Sequence, residues 1–204
     1  MAMDQGQRAE AEHPMVPRII EAAIGRFTHY GYGKTTVAEI AEDLGVSPAY
    51  LYKFFDSKRS ICEAVAGETL QRIDEALWEA ARADRPATER LRDLYQVILR
   101  ESVARFFQER KLHDMVVEAV QSDWGAVRRH KETIGDVARH VLRDGMKAGE
   151  FDTALDEDQI VGALWSTLVP FAHPKVLEQT IHTDLEARAN AVADLVLRGL
   201  RPTS

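Results

Sequence analysis

The chain has 204 residues, 45% of them apolar, a single cysteine and a formal net charge of -7 at pH 7. That length and apolar share suit one large domain or one small plus one medium, each with a real core. The lone Cys62 excludes an internal disulfide and fits a reducing cytoplasm, no apolar run reaches the ~18 residues of a bilayer span, and the negative charge argues against unselective coating of nucleic acid.

In chain order, residues 1–14 begin with the polar MAMDQGQRAEAE and read as a disordered start with no apolar export signal. From there nearly every segment repeats at helical spacing, and no stretch alternates persuasively as a strand. A first helix is expected from Val16 to Tyr30, with Ile19, Ile20, Ala23, Ile24 and Phe27 on one face and Gly31 and Gly33 as its stop. A second starts at Thr36, which has capping-box spacing with Glu39, and stops at Gly45. A third is short. Ser47 is a suitable N-cap, Pro48 sits at the first helical position, and Leu51, Phe54 and Phe55 fall on one buried face. Asp56 and Ser57 then cap a long fourth helix running to about Ala83.

After the break at Asp84-Arg85-Pro86, further helices are expected at about 88–109, 111–121, 123–148, 156–172 and 183–199. Gly149 closes the third of these. Pro170 and Pro174 close the fourth, and Thr183 with Glu186 caps the last. The helices at 156–172 and 183–199 carry apolar stripes, and Ala187, Ala189, Ala191 and Ala193 allow close helix approach. Two such helices from each of two chains make a four-helix interface; alternatively, both complete the core of one chain.

Two short helices around Gly45-Val46-Ser47 fit a helix-turn-helix, whose second helix enters the major groove. Pro48, Ala49, Tyr50 and Lys53 point away from the core face. Ala49 is small enough for close approach to a base edge, Tyr50 and Tyr52 offer hydroxyls, and Lys53 and Lys58 can neutralise phosphates. Thr36, at a helix start, can present a hydroxyl and free amides to a phosphate. The same fold without DNA would be a protein-interaction module, but the exposed residues are Lys, Tyr and Thr rather than an apolar patch. Catalysis is not indicated. The seven histidines are scattered, Cys62 has no His partner in sequence, and no HExxH, CxxC, GxSxG or P-loop pattern occurs. No metal or cofactor is expected.

The text AAIGRFTHYGYGKTTVAEIAEDLGVSPAYLYKFFDSKRSI, within residues 18–65, resembles the N-terminal domain of TetR/AcrR-family transcriptional regulators. The aromatic-rich helix end, the Gly, the paired Thr before Ile-Ala, Gly-Val-Ser, Leu-Tyr, Phe and Ser-Lys all stand in register over about fifty residues. Carried over by position, Thr36, Tyr52 and Lys58 resemble phosphate-contacting residues, with Lys34 and Thr35 beside them. Ser47, Pro48, Ala49, Tyr50 and Lys53 resemble those facing bases or flanking phosphates. Ala49 stands where Gly is frequent, and Lys53 where His or another aromatic is frequent.

The resemblance implies an all-α protein. A three-helix DNA-binding domain at 15–62 is followed by a helical bundle at 63–204 that binds a small molecule and forms a homodimer through the helices near 156–172 and 183–199. It further implies a cytoplasmic repressor, released from a pseudo-palindromic operator by its effector. For a mostly apolar effector, the candidate lining is Trp78, Tyr95, Phe106, Met115, Trp124, Met146 and Trp165, with His113, Glu118 and His173 as polar anchors.

Overall fold

A computed structural model describes residues 13–108, 113–154 and 156–202, except for the side chains of 105–108, 113 and 114. The expected disordered start therefore lies outside the described residues up to 12, and so do the side chains of Phe106 and His113. The described elements are all helical: α1 Met15–Tyr30, α2 Val37–Asp43, α3 Pro48–Leu51, α4 Lys58–Ala81, α5 Ala87–Gln108, α6 His113–Gln121, α7 Gly125–Lys147, α8 Glu157–Ala172, α9 Pro174–Thr180 and α10 Leu185–Gly199. Among the described residues no single helix is long and apolar enough to cross a membrane.

The chain forms two compact units. The first draws its described residues from Met1–Thr69 and Glu109–Val127, the second from Leu70–Gln108 and Arg128–Ser204. A single cut after residue 62 does not describe this division, because the chain enters the first unit twice.

In the first unit, α1 buries Ile19, Ala23 and Phe27 at a spacing of four, one stripe of a helix. Gly31, at φ 88°, ends it with a backbone conformation that suits glycine. Thr36 and Glu39 form the expected capping box, each serving the other's backbone N–H. At the end of α2 the Val46 N–H donates to the Ala41 carbonyl and the Gly45 N–H to that of Glu42, both at 3.0 Å, with Gly45 at φ 66°. This pair of bonds is a Schellman ending, and it sets the turn into α3. Ser47 occupies the N-cap of α3, yet its side chain makes no capping bond; Pro48 at the first position starts the helix without it. Ser57 and Ser60 exchange side-chain to backbone bonds at 3.1 and 3.0 Å and so start α4.

The second unit has a core built on α5, against which α8 and α10 pack. Leu91, Leu94, Tyr95 and Ile98 of α5 are buried with Leu164, Leu168 and Phe171 of α8 and Ala189 and Ala193 of α10. The ring of Phe151 packs against Gly145, where an added Cβ would stand 2.1 Å from it. Gly145 is thus the landing surface that lets the chain fold back after α7.

Three expectations about helix ends are corrected. Pro170 does not close α8, which continues to Ala172. A proline in the last turn removes only one helical bond and leaves the rest intact. Pro174 opens α9, a helix the sequence pattern did not separate, after a bend of 58° at His173. The cap of α10 is Asp184, whose carboxylate accepts the Ala187 N–H at 2.9 Å, while Thr183 donates its hydroxyl to the Thr180 carbonyl.

Candidate nucleic-acid interface

The turn fixed by Gly45 leaves α3 anchored by one fully buried side chain, Leu51. Everything on its opposite side is open. Ser47, Pro48, Ala49, Tyr52 and Lys53 are exposed, Tyr52 at 51%. Tyr50 is half-buried, its ring edge-on to Phe54 at 5.4 Å with the Lys53 ammonium over its face. Phe54 and Phe55 are partly rather than fully buried, and Phe54 also packs on His13 at 5.0 Å.

Lys34 and Thr36 are exposed, and the two candidates beside them differ from the sequence reading. Thr35 is 2% exposed and donates its hydroxyl to the Gly31 carbonyl at 3.0 Å, so its side chain belongs to the interior and not to the open face. Lys58 is half-buried. Its ammonium donates to the Tyr32 carbonyl at 2.5 Å and lies 4.3 Å from the centre of the Tyr32 ring. Lys58 therefore pins the loop that leads into α2.

Sequence reasoning missed the ion network behind this face. Arg26 of α1 binds Asp43 with two hydrogen bonds and approaches Glu39 at 3.6 Å. The Arg26 bonds hold the Asp43 carboxyl below its ordinary range. Glu39 is held low first by the Thr36 backbone N–H, then by the Thr36 hydroxyl, with Arg26 adding to both. Arg59 of α4 lies over the Trp124 ring at 5.7 Å, which ties the second pass of the chain to this unit. Burial pushes the Cys62 thiol up to about 12, so it is an inert core group.

The described residues expected to line an effector cavity belong to both units. Met115 and Trp124 are buried in the first unit, and the exposed Glu118 accepts the Ser122 hydroxyl at 2.8 Å. In the second unit Trp78 sits between Arg82 and His140 at the edge of an open basin. Met146 and Trp165 pack partly buried on the core. His173 lies at the bend between α8 and α9 with a buried Nδ1 that has no hydrogen-bond partner.

Among the candidates whose side chains are described, Tyr95 alone lines an apolar cavity in the second unit. Leu77, Leu91, Leu94, Ile98 and Leu168 are among its other walls, and the space left holds about one water molecule. The Tyr95 hydroxyl is 2.6 Å from the Thr167 hydroxyl, a polar pair at this wall. Aliphatic cavity walls carry no sequence signal that separates them from ordinary core, which is why the aromatic candidates drew attention instead.

Two family models match the chain. Residues 19–65 match that of bacterial regulatory proteins of the tetR family, and residues 87–193 match the tetracyclin repressor-like C-terminal domain. The fatty acid metabolism regulator protein of Bacillus subtilis (strain 168) is 21% identical over 193 residues, covering 93% of this chain and 97% of that protein. The HTH-type negative transcriptional regulator IcaR of the biofilm operon icaADBC in Staphylococcus aureus (strain Newman) is 45% identical over 49 residues, 24% of this chain and 26% of that protein. The crystal structure of the transcriptional regulator FadR from Bacillus subtilis in complex with stearoyl-CoA matches with a TM-score of 0.64 at 20% identity, over 91% of this chain and 99% of that one. At such identity the likeness over the whole chain is one of fold.

Proposed function

The chain belongs to the TetR family of bacterial regulatory proteins, and from that membership we propose that it represses transcription as a homodimer released from its operator by a small, mostly apolar effector. The observation that carries this reading is α3 itself: a helix held by Leu51 at the back and presenting Ser47, Pro48, Ala49, Tyr52 and Lys53 at the front. One such helix reads few bases, and each mismatch costs only ~1–3 kcal/mol. Two of them on a two-fold axis double the read and favour a pseudo-palindromic site. Support for a paired chain comes from the open faces of α8 and α10. Gly162, Ala163 and Ser166 are exposed on the first, and Ala187, Ala191 and Leu195 on the second, Leu195 at 72%.

The effector belongs in the second unit, between aliphatic walls and beside the Tyr95–Thr167 pair. Such a site suits a ligand with an aliphatic body and one hydrogen-bonding group, and an acyl-CoA is the class to try first, given the stearoyl-CoA held by the Bacillus subtilis regulator. Helix α4 contributes residues to both units, so its position is the natural carrier of the coupling. The coupling is reciprocal: operator DNA weakens effector binding by the same factor by which effector weakens DNA binding.

Selection of binding sites from random duplexes tests the reading. Paired half-sites of opposite orientation are the expected result, and recovery of no duplex above background overturns it. An acyl-CoA panel followed by thermal melting tests the effector class separately.

A further inference from the structure

Helix α2 reads VAEIAED, three acids and no base in seven residues. Under the proposed function its N-terminus faces DNA phosphates, yet an acidic helix repels them. Two of the three carboxylates are answered from another helix. The Arg26 Nε and Nη2 donate to the two Asp43 oxygens at 2.6 and 2.7 Å, a bidentate fork that a lysine cannot make. The Arg26 Nη1 lies 3.6 Å from Glu39. Glu39 in turn accepts the Thr36 N–H and hydroxyl at 2.7 and 2.8 Å, which places its carboxylate at the helix start, where an anion would otherwise bind. The Arg26 side chain is 17% exposed, against 40% for Glu39 and 42% for Asp43. The arginine therefore sits behind the carboxylates and does not itself reach out to a phosphate.

We propose that Arg26 is a positioning residue for DNA binding, which acts by offsetting one of the two negative charges that Glu39 and Asp43 place on α2. This rests on the DNA-binding reading above. Removing the guanidinium takes the net charge of this cluster from -1 to -2 on the helix that faces the phosphates, a repulsion that salt screens. The identity of the operator does not matter, because the effect is independent of sequence.

The test uses the full chain and a labelled random-sequence duplex long enough for two half-sites, followed by fluorescence anisotropy between about 0.05 and 0.2 M salt. Arg26→Gln is expected to bind on the order of fivefold more weakly at the low end, with the gap closing as salt rises. Arg26→Lys, which keeps the charge, stays near the parent. The double variant Arg26→Gln/Asp43→Asn regains most of the loss, although the link between the helices is still missing. Thermal melts of each variant ensure that folded protein is compared. Equal binding by Arg26→Gln and the parent overturns the proposal, and so does a double variant as weak as the single one, since that outcome marks Arg26 as a structural tie alone. Failure of the parent to bind any duplex overturns the DNA-binding reading, and the role of Arg26 with it.

Discussion

The two units differ in the reach of their apolar cores, while ion pairs tie helices in both, Arg26 to Asp43 in the first and Arg90 to Asp144 and Arg143 to Glu157 in the second. The first is tied by Arg26 to Asp43 between two helices, by Lys58 to the Tyr32 carbonyl in a loop, and by Arg59 over Trp124. The second is held by a wide aliphatic core on α5, with the Tyr95–Thr167 pair as a polar contact at its cavity wall. The core on α5 leaves between its aliphatic side chains a space that holds about one water molecule. The head is organised around one turn and a short helix, the body around one wide core.

The largest expected effect lies in the body. Leu91→Ala removes a fully buried wall of the cavity and should cost about 3 kcal/mol in denaturant unfolding. A much smaller loss would mean that the body relaxes around the space. Next is Gly145→Ala, expected to cost about 2 kcal/mol, because the new methyl collides with the Phe151 ring. In the head, Gly45→Ala meets no atom within 4 Å, so its cost is the left-handed backbone alone, about 1 kcal/mol. It should also weaken duplex binding, since the turn aims α3; unchanged binding would break the link between this turn and the reader.

The smallest effect is set by pH. Glu39, Asp43 and Glu157 have carboxyls held below their ordinary range in the folded chain. Groups shifted in that direction stabilise the fold above their unfolded pKa, about 4, and lose that contribution as pH falls through the folded value. Melting temperature should hold steady from neutral pH down to about 5 and decline below about 4, less steeply at high salt. A decline beginning near neutral pH would assign the sensitivity to other groups.

Much of the head is legible in its text because its signals act over three to five residues. The capping box of Thr36 and Glu39, the left-handed Gly45 and the helix-opening Pro48 each work within one turn, and each stands where sequence reasoning puts it. Ser47 shows the limit of such reasoning: its position is the cap, but its side chain makes no capping bond. Thr35 shows another, since two adjacent threonines look alike in sequence while one is buried and the other open. The walls of the apolar cavity in the second unit were poorly legible because large aromatics are conspicuous and leucines are not.

Local periodicity and punctuation, then, determined that this chain is helical, where most of its helices begin and end, and that one short helix presents a polar face suited to DNA. Tertiary structure alone decided which distant groups meet. Arg26 finds Asp43 across 17 residues, Lys58 finds Tyr32 across 26, and Tyr95 finds Thr167 across 72. The reason is physical: backbone propensity and capping depend on neighbours along the chain, whereas ion pairs, cavities and the burial of one threonine beside another depend on how separate helices pack in space.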